Sequence, residues 1–417
     1  MAPAGNFECL RAAIQGGADS VYFGVGQLNM RSRSAGNFKP EDLPEVVRIC
    51  REAGVRSYMT LNISLFPEDL QDAREALDAA RAAGVDAIIA SDMAVIEYCR
   101  RIGLEVHIST QLSISNAEAL RFYAQFADVV VLARELHLGQ VADIYETIGR
   151  EHITGPSGEL VRIEMFAHGA LCMAISGKCY LSLHNASGES ANRGACMQLC
   201  RRAYRVSDAE TGTELVVDNE YIMSPKDLCT IEFLDKMAAA GVRVFKIEGR
   251  ARSADYVKRC VQCYRRAADA VQDGSFSPEL GSELKASLAE VFNRGFWDGY
   301  YQGARLGEWS RVYGSSATRR KIYCGKVANW FDRIGVAEIA VEAADIHQGD
   351  RLMAIGATTG VAEFTAEDMR ENFEAVTLAR KGTRCSVAVR PLQKLHRGDK
   401  VYLWREVELP AEIEIVR

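Results

Sequence analysis

Five of the chain's twelve cysteines fall between Cys172 and Cys229. Six residues separate Cys172 from Cys179, sixteen separate Cys179 from Cys196, and three separate Cys196 from Cys200. Glycines and small polar residues lie between them, so the backbone can bend and bring the sulfurs together. Several thiolates converging on one point make a soft-metal site, and four of them can hold an iron–sulfur cluster or a zinc ion. Zinc pairs usually stand roughly two to four residues apart. Only Cys196 and Cys200 fit that rule, so the wide spacing favours a cluster over zinc. Two plainer readings stand beside it. Cysteine is a common small core residue, and an oxidising compartment would tie the same thiols into disulfides. His168 and His184 flank Cys172 and Cys179, which leaves a Cys–His nucleophile pair as a further reading.

Composition narrows the choice. The 417 residues are 48% hydrophobic and 25% charged, as in ordinary soluble domains. A net charge of -6 excludes a global basic field for nucleic acid, so any RNA contact must come from a local patch. No apolar run approaches the ~18 residues that a membrane helix needs. The segment from Met1 to Asn6 lacks the basic-then-apolar pattern of a secretion signal. A cytoplasmic home is therefore expected, where thiols stay reduced and clustered cysteine serves metal binding or redox chemistry. There is no His-Glu-x-x-His helix and no Gly-x-Ser-x-Gly elbow to support a zinc or serine peptidase.

The elements that must position the cysteines form a repeat. Amphipathic segments end at a glycine or a polar turn, and a short apolar run follows, as strands buried on both faces require. The runs are 17–24, 54–62, 84–91, 103–110, 127–134, 161–168 and 241–250, with helical patterns such as 67–83 between them. Residues 2–5 read as the end of a further, first strand. Eight parallel strands with intervening helices predict an α/β fold, a (β/α)₈ TIM-like barrel. No Gly-x-Gly-x-x-Gly follows the first strand, which argues against a dinucleotide-binding open sheet. Barrel chemistry sits at the C-terminal strand ends. Those ends carry Asn29, Arg31 and Arg33, then Asn62, Ser91, Asp92, Ser109, Thr110 and Gln111. Arg134, Glu135, His168, Glu248 and Arg250 follow. Arg31, Arg33, Gln111, Arg134, Glu248 and Arg250 are the expected catalytic set. The arginines suit an anionic small molecule, because guanidinium pairs with carboxylate in two-pronged fashion.

The cysteine segment, residues 170–230, interrupts the repeat after strand seven and should lie over the barrel mouth. Within it, Tyr204–Val206 and Glu214–Val217 read as a hairpin. The helix predicted over Asp255–Gln272 carries Cys260 and Cys263, read as packing. From Lys321 the texture changes to short alternating strands: 322–327, 339–341, 350–355, 385–389 and 400–404. The expected division is a barrel over 1–310 and a small closed C-terminal β-barrel over 311–417. Arg319, Arg320 and Lys321 begin a basic patch or form a solvated linker.

These residues also resemble a known family. The segments Glu164-Met-Phe166, Gly169-Ala-Leu-Cys172, Gly177-Lys-Cys179 and Leu181-Ser182 match the signature of peptidase family U32, the collagenase-like proteases. So do residues 2–6, Asn192-Arg-Gly194, Ser224–Cys229 and Lys246–Arg250. The resemblance covers nearly the whole chain. It implies a hydroxylation protein of the branch that converts the tRNA wobble uridine to 5-hydroxyuridine, with a peptidase or a non-catalytic scaffold as the alternatives. It implies a 4Fe-4S cluster on Cys172, Cys179, Cys196 and Cys229, with Cys200 as an extra thiol able to replace one of them. Prephenate is the implied hydroxyl source, RNA the implied partner, and a partner protein is compatible with the family.

Overall fold

The computed structural model describes residues 1–33, 36–185, 190–205, 207–212, 223–310, 312 and 314–407. Among these, the eight expected parallel strands all form. They are β1 (Ala2–Ala4), β2 (Ser20–Gly24), β3 (Arg56–Leu61), β4 (Ala87–Ala90), β5 (Glu105–Ile108), β6 (Val129–Val131), β7 (Arg162–Ala170) and β9 (Val242–Ile247). Each pairs in parallel with the next, and β9 pairs with β7. Met1 donates its amino group to the Phe245 carbonyl at 2.8 Å and accepts from the Ile247 N–H at 3.1 Å. The backbone beside β1 therefore also bonds to β9.

Between the strands run α1 (Phe7–Gln15), α2 (Leu43–Glu52), α3 (Leu70–Ala83), α4 (Met93–Ile102), α5 (Ala117–Ala124) and α6 (Leu138–Arg150). Their caps follow from sequence. The Asn6 side chain accepts from the Cys9 N–H, and Asp92 from the Ala94 N–H. Gly84 and Gly103 end α3 and α4 in the left-handed conformation, at φ of 80° and 73°. Alternation along the strands divides the interior. Val21 and Phe23 of β2 join the large apolar cluster under the helices. Tyr22, with Tyr58, Ala87 and Ile89, forms a separate small cluster.

Two strands were not expected. β8 (Asp227–Cys229) lies antiparallel against the end of β7, and β10 (Phe296–Trp297) pairs in parallel with β8. Residues 171–226 thus leave the sheet at Ala170 and return to it opposite the same residue. This excursion carries the short helix α7 (Leu181–Asn185). Val206 and Glu214–Val217 of the hairpin expected within it lie outside the described residues. After β8 come α8 (Leu234–Ala239), α9 (Ala254–Asp273) and α10 (Pro278–Ala289). Cys260 and Cys263 of α9 are buried, as packing requires.

The C-terminal part is an eight-stranded antiparallel sheet. Arg319–Phe331 lies near its middle, between Val336–Val341 and Lys400–Glu406. The five expected strands are present. Gly360–Thr365 and Met369–Glu371 are additions, and no pairing joins the two sheet edges among the described residues. Its own core includes Cys324, Val327, Ile339, Leu352 and Leu403. The sheet is fastened to α1 and α9. Gln15 donates to the Thr359 carbonyl at 2.7 Å and accepts from the Val361 N–H at 2.9 Å. Lys321 pairs with Asp255, and Arg319 with Glu290 and Glu406. The basic-patch reading of Arg319 and Lys321 is thereby corrected: both charges are spent on ion pairs.

Candidate functional site

The C-terminal strand ends and the cysteine excursion enclose a cavity of about 330 Å³. Cys172, Cys179, Cys196 and Cys200 all line it. So do Arg31, Asn62, Ser109, Thr110, Gln111, Arg134, Glu248 and Arg250 from the strand ends. Cys200 keeps its proton more tightly than a free thiol. Burial is the larger cause, and the neighbouring Cys172, Cys196 and Cys179 add to it. Thiols gathered around one cavity are the residue type that an iron or zinc centre would take as ligands. As they stand, no three His, Cys, Asp or Glu side chains among the described residues form a group that could hold a metal ion.

The rest of the lining is strongly cationic. Arg31, Arg134, Arg201, Lys246, Arg250, Arg252 and Arg294 face one lining carboxylate, Glu248. Burial alone would raise Glu248, but Arg31, Arg250 and Arg134 more than offset it and hold it at about 2. Arg31 donates to Glu248 Oε1 through Nε at 3.0 Å and Nη2 at 2.8 Å. Among the described residues Arg250 donates to two neutral groups, Asn29 Oδ1 at 3.0 Å and Thr60 Oγ1 at 2.8 Å. Burial lowers it to about 10. A Cβ at Gly24 would stand 2.7 Å from Arg250 Nη1, so only glycine leaves room for this guanidinium. The Nε atoms of Arg250 and Arg134 are buried and have no hydrogen-bond partner among the described residues. Both guanidinium groups line the cavity, and a polar anion there would suit their charge.

The family model described as Peptidase family U32 matches residues 5–311. The chain belongs to peptidase family U32. It is 57% identical to a collagenase of Porphyromonas gingivalis, over 96% of this chain and 97% of that one. It is 35% identical to tRNA hydroxylation protein P1 of Bacillus subtilis, over 79% of this chain and 77% of that one. It is 34% identical to the 23S rRNA 5-hydroxycytidine C2501 synthase of Escherichia coli, over 74% of this chain and 46% of that one.

The U32 resemblance implied Cys229 as the fourth ligand. Cys229 sits on β8 in the apolar core, outside the cavity lining, and burial pushes its thiol up to about 12. Its Sγ lies 4.0 Å from the Tyr264 hydroxyl. Cys200 instead joins Cys172, Cys179 and Cys196. Arg33 is exposed and does not line the cavity, whereas Gln111 does and donates to Ser176 Oγ at 3.1 Å. The two histidines do not serve the cavity. His168 is buried among the rings of Tyr256, Tyr264 and Phe296, and burial lowers it to about 4. His184 is exposed and stacks on Tyr180. A Cys–His pair therefore has no geometry at the cavity.

Several lining residues of this U32 chain escaped the sequence reading. Arg201 donates to the carbonyls of Leu171 and Pro225, both at 2.5 Å, and to Ser224 Oγ at 3.1 Å. It ties the loop before Cys172 to the segment before β8, one residue past Cys200. Lys246 bonds Glu164 at 2.7 Å, with side chains 6% and 0% exposed. The signal was present: a charge interrupts each of two otherwise apolar strand runs, which burial permits only for a pair.

Proposed function

We propose that this U32 protein carries an iron–sulfur cluster on Cys172, Cys179, Cys196 and Cys200 and takes part in oxygen-independent hydroxylation of RNA. The target in this reading is the tRNA wobble uridine, and the hydroxyl source is a small dicarboxylate, with prephenate the one the family resemblance names. One observation carries it: four thiols share one cavity with Arg31, Arg134 and Arg250. The donor set suits a four-iron, four-sulfur cluster, which when bound supplies electron transfer. In this reading Arg250 and Arg134 hold the carboxylates. Arg31 is fixed by Glu248 beside them, and Gln111 is aimed by Ser176. The tRNA and rRNA hydroxylation proteins among the relatives support RNA as the partner. We read the Met1–β9 hydrogen bonds as closing the parallel sheet into a barrel, and the cytoplasm as the setting.

Anaerobic purification tests the proposal. It should give a brown protein with about four irons per chain. A colourless, iron-free product would overturn the cluster, and zinc in the same measurement would replace it. Mass spectrometry of tRNA nucleosides from a deletion strain should show loss of 5-hydroxyuridine derivatives. The Porphyromonas gingivalis relative favours a second reading, a peptidase. Gelatin or peptide cleavage that vanishes in Cys172→Ala would establish it.

A further inference from the structure

A smaller recess opens off the main cavity and shares Thr110, Arg134, Cys172 and Met173 with it. Its distinctive lining is aromatic: Trp297, Tyr300 and Trp309. Trp297 sits on β10, and its ring meets Tyr300 edge-on at 5.1 Å. Trp309 is held to Pro225 by an isolated bridge just before β8. Trp297 is buried, while Tyr300 and Trp309 are half-exposed, so ring faces remain available. Glu135, an exposed carboxylate, completes the recess beside Arg134.

We infer that this recess receives one unpaired base of an RNA loop, next to the small-anion cavity. The inference rests on the function proposed above and says where the nucleic acid meets it. Aromatic faces accept any base by stacking. Glu135 can only accept hydrogen bonds, so it selects a ring that carries N–H on its edge. A uracil offers one, and a phenylalanine ring offers none. Phosphates find cations nearby. Residues 170–205 hold five cationic side chains and one acidic one, against a chain net charge of -6. Lys178, Arg202 and Arg205 of that set are exposed. This is the local patch that overall composition could not supply. The recess has free room for about 40 Å³, less than a base. Met173, 42% exposed, lines it, and its unbranched thioether can move aside at little cost.

Tryptophan fluorescence of the full chain, titrated with a hairpin RNA carrying uridines in its loop, tests this. A fully paired duplex of matching length is the comparison. The loop RNA should quench and bind more tightly than the duplex. Trp309→Ala should weaken loop binding about tenfold or more, while Trp309→Phe keeps most of it. Glu135→Gln, at an exposed position that folding does not need, should weaken loop binding severalfold and leave duplex binding unchanged. Equal loop affinity in wild type, Trp309→Ala and Glu135→Gln would overturn the recess while leaving RNA as the partner. No binding of either RNA by wild type would overturn both.

Discussion

Replacing Cys200 and Cys229 one at a time separates the two candidate ligand sets. Cys200 lines the cavity with three other thiols and interacts with all of them. Cys200→Ala leaves three thiolates for a centre that needs four, a loss larger than the ten- to hundredfold cost of removing a supporting contact, roughly 1–3 kcal/mol. Iron after anaerobic reconstitution should drop from about four per chain to a small fraction of that. The fold itself should tolerate the change, because Cys200 is only half-buried. Cys229→Ala should do the reverse. It removes one sulfur from a packed site, 4% exposed, beside Tyr264. The lost contact and the small void cost roughly 1 kcal/mol, a melting shift of a few degrees. Iron and sulfide content, visible absorbance and thermal unfolding of both variants complete the test. Full iron in Cys200→Ala together with none in Cys229→Ala would refute the assignment and restore the set implied by resemblance.

Three further outcomes follow from the same geometry. Lys246→Met strands the Glu164 carboxylate in the core, and denaturant unfolding should show a loss of roughly 3–5 kcal/mol, most of it recovered in Lys246→Met/Glu164→Leu. His168, lowered by burial from 6.5 to about 4, binds its proton later than in the unfolded chain. Stability should therefore fall as pH drops from about 6.5 to 4, by up to roughly 3 kcal/mol at 1.36 per pH unit, then level off; a slope unchanged in His168→Phe would sink this. Glu248, lowered from 4.5 to about 2, stays ionised below the ordinary carboxylate value, and its contribution to stability is lost progressively as pH falls from about 4.5 to 2. Affinity for a dicarboxylate, by calorimetry, should be flat from roughly pH 8 to 5, and Arg250→Lys should lower it about tenfold or more.

Much of this was legible in the residues. The strand-end arginines, Glu248 and Gln111 converge because short apolar runs bounded by glycine have one reading in a repeating α/β chain. Arg33 did not follow, since a loop position after a strand end does not say which way a side chain turns. β8 and β10 were invisible for a different reason. Two or three residues carry no periodicity, and both depend on pairing with β7 or with each other. The position of Cys229 outside the cavity lining has the same root. Spacing counts residues, but β8 turns Cys229 into the core, and no local pattern announces an antiparallel strand of three residues. Arg201 was hidden because its partners are main-chain carbonyls, which leave no trace in side-chain sequence.

The return of residues 171–226 to their point of departure has a practical corollary. Ala170 faces Asp227 across one ladder, so the ends of the whole excursion are neighbours. A segment with adjacent ends can be transplanted between relatives without altering the spacing of any strand around it. Chimaeras joined at that ladder would show which half of a U32 protein chooses its substrate. They would also let the thiol-bearing half diverge while the scaffold beneath it stays constant.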